Sequence, residues 1–174
     1  MVDFHWAGLA DRRYRDQIVA LHRTGFLDGH GLFLSDEERV LFSDPQSQPD
    51  PQFSWTPLPA LPEIALAVEG DVVIGALTLW RHKEPGGFAV VEPMNVLPGH
   101  QRAGTGAGLW ELAKQRARAF GHRGIQVWAI DRNIKATNFY GKVGCRVIGQ
   151  GEWSLGDHKE PATGFQYNFS QQGR

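Results

Sequence analysis

The sequence lacks the features that define several large classes of protein. Cys145 is the only cysteine among 174 residues, which excludes an internal disulfide and a cysteine-rich zinc site. No segment approaches the ~20 consecutive apolar residues that span a bilayer, and the first residues lack the apolar core of a secretory signal. We therefore expect a cytoplasmic protein without a membrane partner.

The sequence has neither the basic excess typical of nucleic-acid-binding proteins nor the histidine spacing typical of metal sites. The 18 Lys and Arg residues are balanced by 19 Asp and Glu residues, whereas nucleic-acid-binding proteins usually carry a basic excess. The seven histidines form no His-Glu-x-x-His motif or other close ligand pair. We expect no nucleic-acid partner and no metal. The length fits one domain, residues 1–174.

The N-terminal third predicts two helices and a long loop. Residues 4–7 predict a short strand, the helical spacing over residues 11–22 predicts an amphipathic helix, and a capping-box pattern at Ser35 and Glu38 predicts a second, short helix. Six prolines in residues 43–62 then exclude a helix or a central strand.

A loop as long as residues 43–62 is uncommon inside a compact domain. Such loops tend to be lids or binding walls. We interpret this one as part of a substrate site, with Phe53 and Trp55 as contacts. A surface connection is the alternative.

The rest of the chain alternates strands and helices. Residues 64–68 and 72–80 predict a hairpin around Gly70-Asp71. Residues 88–97 are apolar at nearly every position, as expected of a strand covered on both faces, so this strand should be central in the sheet. The remaining predicted elements are a helix at 104–120, a strand at 125–130, a helix at 133–142 and closing strands at 145–148 and 165–169 around a polar loop.

The glycine-rich segment between the central strand and the long helix is the main chemical motif. In HQRAGTGAG, Gly104, Gly106 and Gly108 leave backbone N–H groups uncovered at a helix N-terminus, where phosphate binds well. A flexible turn before a helix is the alternative. The nucleoside triphosphatase loop is excluded because no Gly-Lys-Ser/Thr follows. In a dinucleotide fold Asp131 would contact a ribose, yet the glycine spacing does not match.

Two motifs closely resemble those of the GNAT superfamily of acetyltransferases. The first signature, Gln/Arg-x-x-Gly-x-Gly/Ala after a Val-x-Pro strand end, stands here as Val96-Leu97-Pro98 followed by residues 101–106. The second, Asn-x-x-Ala-x-x-Phe-Tyr followed by Gly-Phe, stands as Asn133, Ala136, Phe139, Tyr140, Gly144 and Cys145. Cys145 departs from the usual Phe, which thins a packing contact.

The resemblance implies a single α/β domain. Its mixed, mostly antiparallel sheet would be splayed at the central strand and covered by helices on both faces. The acetyl-CoA-binding core would span residues 88–148, with helices and a loop on the substrate side at 9–62. Pro93 supports the splay independently, because a proline in a central strand removes a ladder hydrogen bond.

The resemblance also assigns acetyl-CoA, as co-substrate, to a set of residues. Backbone amides of residues 102–107 would hold the pyrophosphate, and the strand at 95–97 would pair with the pantetheine arm. The implied binding residues are Asn95, Val96, Leu97, Gln101, Arg102, Ala103, Gly104, Thr105, Gly106, Ala107, Asn133 and Tyr140. For Asn133, a plain helix N-cap is an equal alternative.

Two residues are candidates for catalysis. Tyr140 matches the family's general acid, which protonates the leaving CoA thiolate; a buried packing tyrosine is the alternative. Glu92, in an otherwise apolar strand, resembles the strand carboxylate that acts as base in related enzymes; a structural ion pair is the alternative. Glu63 and Asp71 are weaker candidates.

Together these features predict an N-acetyltransferase. An amine, expected to be a small molecule, would attack acetyl-CoA directly in a ternary complex. A non-catalytic acyl-CoA-binding domain and, more distantly, a dinucleotide-binding oxidoreductase are the alternatives. The oligomeric state stays open, with a homodimer as one alternative.

Overall fold

The computed structural model of the protein describes residues 1–30, 61–81, 86–155 and 158–169. The short helix predicted after Ser35 lies outside the described residues. So does the proline-rich loop up to residue 60, with its two aromatic side chains Phe53 and Trp55.

The described chain alternates strands with helices. Its elements are β1 (Val2–Trp6), α1 (Arg15–His30), β2 (Leu61–Glu69), β3 (Val72–Arg81), β4 (Phe88–Val96), α2 (Thr105–Ala119), β5 (Gly124–Ile130), α3 (Ile134–Lys142), β6 (Arg146–Leu155) and β7 (His158–Asn168). Short 3₁₀ helices cover Leu9–Tyr14 and Pro98–His100. None of the helices in these residues has both the length and the apolar character needed to cross a membrane.

The strands form one seven-stranded sheet in the order β1-β2-β3-β4-β5-β7-β6. All neighbouring pairs are antiparallel except β4 and β5, which run parallel. The predicted fold class, a mixed and mostly antiparallel α/β sheet, is confirmed. A dinucleotide-binding domain needs a mostly parallel sheet, so that alternative does not fit.

Apolar residues lie on both faces of the sheet, because successive side chains of a strand point to opposite faces. On β2, Ala65 and Ala67 pack in the core under α2 and α3, while Leu66 and Val68 pack in a second core under α1 with Leu21. Each of these five residues is at most 4% exposed. Helices therefore cover both faces, as predicted.

The central position of β4 explains its unbroken apolar run. It is the fourth of seven strands, with β3 on one side and β5 on the other. Ala89 and Val91 are 0% and 1% exposed on one face, and Val90 between them is 9% exposed on the other, so the strand is covered on both faces at this end. The prediction from the sequence is correct here.

Several elements are longer than the sequence predicted, and the difference is largest for α1, β6 and β7. The first helix was expected to end at His22 and runs on to His30. The polar loop expected between residues 148 and 165 is mostly strand, since β6 and β7 pair from Arg146–Gln166 to Leu155–His158. The indole of Trp128 on β5 lies against Gly151 and Gly164, so both glycines stand in paired strands at points where a side chain would meet the ring.

The packing of Trp128 predicts different effects of alanine substitution at two glycines of β6. A Cβ at Gly151 would lie 2.8 Å from Cζ3 of Trp128, whereas a Cβ at Gly149 would meet nothing within 4 Å. We expect Gly151→Ala to lower the free energy of unfolding by about 1–3 kcal/mol, because the rigid indole must move. Gly149→Ala, the matched control, should stay within about 0.5 kcal/mol of wild type in urea denaturation. Equal losses in both variants would contradict this packing.

Candidate active site

A cleft opens where β4 and β5 part. The two strands pair only over three residues each, from Phe88–Gly124 to Val90–Gln126. Beyond this point β4 continues along β3 to Val96, and β5 continues along β7 to Ile130. Each strand keeps its outer neighbour, so the separation leaves an opening at the carboxyl ends of two parallel strands. The predicted splay is present.

The N-terminus of α2 stands at the end of this cleft. Gly104 is its N-cap with φ 90°, and Arg102 two residues earlier also has a left-handed φ, 63°. The N–H of Gly108 donates to the carbonyl of Gly104 at 2.9 Å, which starts the helical ladder. The N–H groups before Gly108 therefore come before the first helical bond and point out of the helix end. Such an end attracts anions.

Gly106 lies where α2, α3 and β4 converge. A Cβ placed there would be 3.3 Å from Cε2 of Phe139 on α3 and 3.9 Å from Cγ2 of Val96 on β4. A side chain at this position would crowd both elements. Glycine thus keeps the first turn of α2 close to the strand and leaves its backbone accessible to a ligand.

The backbone of β4 presents an N–H group to the cleft at Val96. The N–H of Leu97 donates to the carbonyl of Ile74 on β3 at 2.9 Å. Since successive N–H groups of a strand point to opposite sides, the N–H of Val96 points away from β3, toward the parted strand β5. The side-chain amide of Gln101 donates to the carbonyl of Val96 at 3.1 Å and so connects the glycine-rich segment to the strand.

Tyr140, on α3, is packed among aromatic rings. Its ring centroid lies 5.8 Å from that of Trp110, 5.4 Å from Phe139 and 5.6 Å from Phe165. The residue is 5% exposed. Burial, followed by the nearby Cys145 and Glu92, raises the pKa of Tyr140 well above its usual value of 10. The phenol is therefore neutral and holds its proton at physiological pH.

Glu92 lies close enough to Tyr140 for its charge to act on the phenol. Its backbone carbonyl accepts a hydrogen bond from Nε1 of Trp80 at 2.7 Å, which fixes β4 at the start of the cleft. The weaker candidates are engaged elsewhere. Glu63 bridges Arg81 at 3.0 Å and Arg116 at 3.7 Å, and Asp71 contacts Arg13 at 3.8 Å in the β2–β3 turn.

The side chain of Asn133 is the N-cap of α3. Its Oδ1 accepts a hydrogen bond from the N–H of Ala136 at 3.1 Å. The N-cap alternative is therefore the one seen in this structure. Among the described residues, no three His, Cys, Asp or Glu side chains are grouped so that they could hold a metal ion.

Sequence reasoning missed a contact between α1 and the end of β4. Nδ2 of Asn95 and Nδ1 of His22 are 2.9 Å apart, so with His22 neutral the amide donates to the imidazole. Burial lowers the pKa of His22 to about 4, which keeps the ring neutral. The available signal was the position of His22 next to Leu21 on the apolar face of the first helix.

Comparisons with known proteins agree with this geometry. Residues 31–145 match the model of the family described as the Acetyltransferase (GNAT) family. No curated protein matches the sequence significantly.

Solved structures share the fold at low sequence identity. A GNAT-family acetyltransferase from Staphylococcus aureus is 15% identical with TM-score 0.66, over 97% of this chain and 99% of its own. The ribosomal-protein-S18-alanine N-acetyltransferase of Escherichia coli is 15% identical with TM-score 0.64, over 99% and 97%. The PaiA N-acetyltransferase of Thermoplasma acidophilum, in complex with coenzyme A, is 14% identical with TM-score 0.66, over 96% and 99%.

The low pKa of His22 predicts a loss of stability in acid. The imidazole pKa is 6.5 in the unfolded chain and about 4 in the folded protein. The stabilising contribution is therefore complete above pH 6.5 and is lost as the pH falls toward 4, by about 1.4 kcal/mol per pH unit and about 3 kcal/mol in all. Urea denaturation between pH 7 and 4 should show this slope in the wild type and in Thr24→Ala, a control on the same helix. In His22→Leu the slope should be smaller, and an unchanged slope would contradict the assignment.

Proposed function

Since the chain belongs to the acetyltransferase (GNAT) family, we propose that it transfers an acetyl group from acetyl-CoA to a primary amine of a small molecule, by direct attack in a ternary complex. The observation that carries this proposal is the cleft between β4 and β5 with the N-terminus of α2 at its end. An extended, anion-bearing thioester fits such an opening.

The pyrophosphate of acetyl-CoA would bind to the backbone amides of residues 102–107. Partial positive charge and outward N–H groups favour a phosphate at this helix end. The left-handed residues Arg102 and Gly104 support the assignment, because alternating backbone handedness turns neighbouring N–H groups into an anion-binding concavity. The pantetheine arm would then run along β4 at residues 95–97, on the side from which β5 has separated.

The thioester carbonyl would lie against the N–H of Val96. This group points into the cleft and is held on a strand that is hydrogen-bonded to β3. As the amine nitrogen attacks the carbonyl carbon, negative charge builds on the carbonyl oxygen. A fixed backbone donor stabilises that charge in the transition state.

Glu92 and Tyr140 would move the protons. Glu92 accepts a proton from the substrate ammonium, directly or through water, which frees the nitrogen lone pair for attack. When the carbon–sulfur bond breaks, the sulfur takes the bonding electrons and Tyr140 donates its phenolic proton to the thiolate. The second nitrogen proton, lost as the amide forms, returns to the phenolate through water, and Glu92 releases its proton to solvent. The raised pKa of Tyr140 means that the phenol is protonated at neutral pH, as a proton donor has to be.

A carboxylate in the cleft also favours a cationic acceptor. An amine is protonated in neutral solution, and Glu92 would attract the ammonium form before accepting its proton. The Escherichia coli structure that shares this fold is named as a ribosomal-protein-S18-alanine N-acetyltransferase, so the fold also accommodates a protein acceptor. The proposal of a small molecule rests on Glu92.

Calorimetric titration with acetyl-CoA tests the co-substrate first. We expect saturable one-site binding of acetyl-CoA, and no binding of NADH or NADPH titrated under the same conditions. A panel of polyamines, aminoglycosides, amino acids and peptides would follow, with release of free CoA thiol as the readout. Binding of a nicotinamide cofactor, or of nothing, would overturn the proposal. Binding without transfer to any amine would favour the non-catalytic alternative.

Replacement of Tyr140 by Phe tests the proton donor. The change removes one oxygen and keeps the aromatic packing, so we expect kcat to fall ~10²-fold while the Kd for acetyl-CoA is unchanged. Tyr167→Phe is the matched control, since Tyr167 also contacts Trp110, with ring centroids 6.4 Å apart, and should keep wild-type kcat. A wild-type kcat in Tyr140→Phe would remove this residue from the mechanism.

A further inference from the structure

The Asn95 side chain lies on the opposite face of β4 from the reacting groups. Its neighbours Met94 and Val96 pack toward the core under α2 and α3. Asn95 instead contacts α1, through its hydrogen bond to His22. The residue that precedes the proposed oxyanion donor is therefore held by an element outside the cleft.

Asn95 is in close contact with α1 at two residues, His22 and Gly25. Nδ2 of Asn95 lies 2.9 Å from Nδ1 of His22. One helical turn further on, a Cβ at Gly25 would lie 2.0 Å from Oδ1 and 2.8 Å from Cβ of Asn95. Only glycine allows the backbone of α1 to approach the amide this closely. Leu21, beside His22, is 2% exposed and anchors this part of α1 in the core.

The held side chain belongs to the peptide that carries the proposed oxyanion donor. The N–H of Val96 lies in the peptide plane between Asn95 and Val96, so its direction depends on the backbone of Asn95. That backbone is paired with Ala76 on β3, and the next carbonyl, of Val96, accepts from Gln101 at 3.1 Å. Contacts from β3, from the glycine-rich segment and from α1 thus fix this peptide together.

We propose that His22 and Asn95 are positioning residues that aim the N–H of Val96 at the thioester carbonyl. The inference rests on the proposed acetyl transfer. Neither side chain touches the reacting atoms. Their loss would rotate the peptide, weaken a hydrogen bond that matters in the transition state, and leave pyrophosphate binding at the N-terminus of α2 unchanged.

Substitution of His22 separates this role from a general loss of structure. His22→Leu removes the acceptor for Asn95, and we expect kcat to fall about tenfold or more while the KM for acetyl-CoA stays within about twofold. His22→Asn keeps an acceptor near the position of Nδ1 and should restore most of kcat. Thr24→Ala, on the exposed side of α1, is the control and should keep wild-type values.

Gly25→Ala tests the same contact from its other side. The added methyl group must displace the Asn95 side chain, so the variant should show the same fall in kcat although His22 is intact. In ¹⁵N-labelled protein, the Val96 amide signal should shift more with acetyl-CoA than with CoA. In both kcat-impaired variants, His22→Leu and Gly25→Ala, that difference should shrink.

The outcomes distinguish this inference from the proposed function. If the wild type binds no acetyl-CoA, the proposed function itself fails. If the wild type is active, the inference is overturned by wild-type kcat in His22→Leu and Gly25→Ala. A loss in His22→Asn as large as in His22→Leu, or a parallel rise in the KM for acetyl-CoA, would also overturn it. A loss of kcat that His22→Asn reverses, with the KM for acetyl-CoA preserved, supports it.

Discussion

The arrangement of the site depends on the parting of β4 and β5 after Val90 and Gln126. A gap inside a sheet exposes backbone N–H and C=O groups, which need partners. Here each strand keeps a full outer partner, β3 for β4 and β7 for β5, so the sheet holds together across the gap. The strand groups turned toward the gap become available to a ligand. An extended molecule in the cleft would hydrogen-bond to these groups as a neighbouring strand does.

Charge is distributed along this cleft in a simple order. The N-terminus of α2 provides partial positive charge at one end. Glu92 lies further back along β4, close enough for its charge to act on Tyr140. Cys145, Tyr140 and His22 are neutral at pH 7. Burial raises the pKa of Cys145 to about 11, raises that of Tyr140 above its usual range and lowers that of His22 to about 4. Burial therefore keeps the proposed proton donor protonated and the proposed positioning ring uncharged.

Local patterns predicted the elements that carry the cofactor side of the site. The glycine-rich segment before α2, the apolar run of β4 and the Asn133 cap are short-range features, so periodicity and turn chemistry locate them within a few residues. Contacts between residues far apart in the sequence could not be predicted in this way. The hydrogen bond from Asn95 to His22 joins residues 73 positions apart, and the Trp128 indole on β5 contacts Gly151 on β6 and Gly164 on β7. In the sequence alone Gly151 and Gly164 resemble loop glycines, and only the structure shows the indole packed against them.

The two substrates depend on different parts of the chain. Acetyl-CoA would be bound largely by backbone groups. The directions of these groups follow from glycine positions and strand pairing, so the sequence motif for acetyl-CoA binding can be recognised even where overall identity is low. The acceptor would be bound by side chains near Glu92, which vary without altering the backbone. A structure that matches the Escherichia coli enzyme with TM-score 0.64 at 15% identity shows how far side chains diverge while the fold persists. The contact of α1 with β4 through Asn95 would link the two parts, because a helix on the proposed acceptor side would help to aim the proposed backbone donor at the thioester.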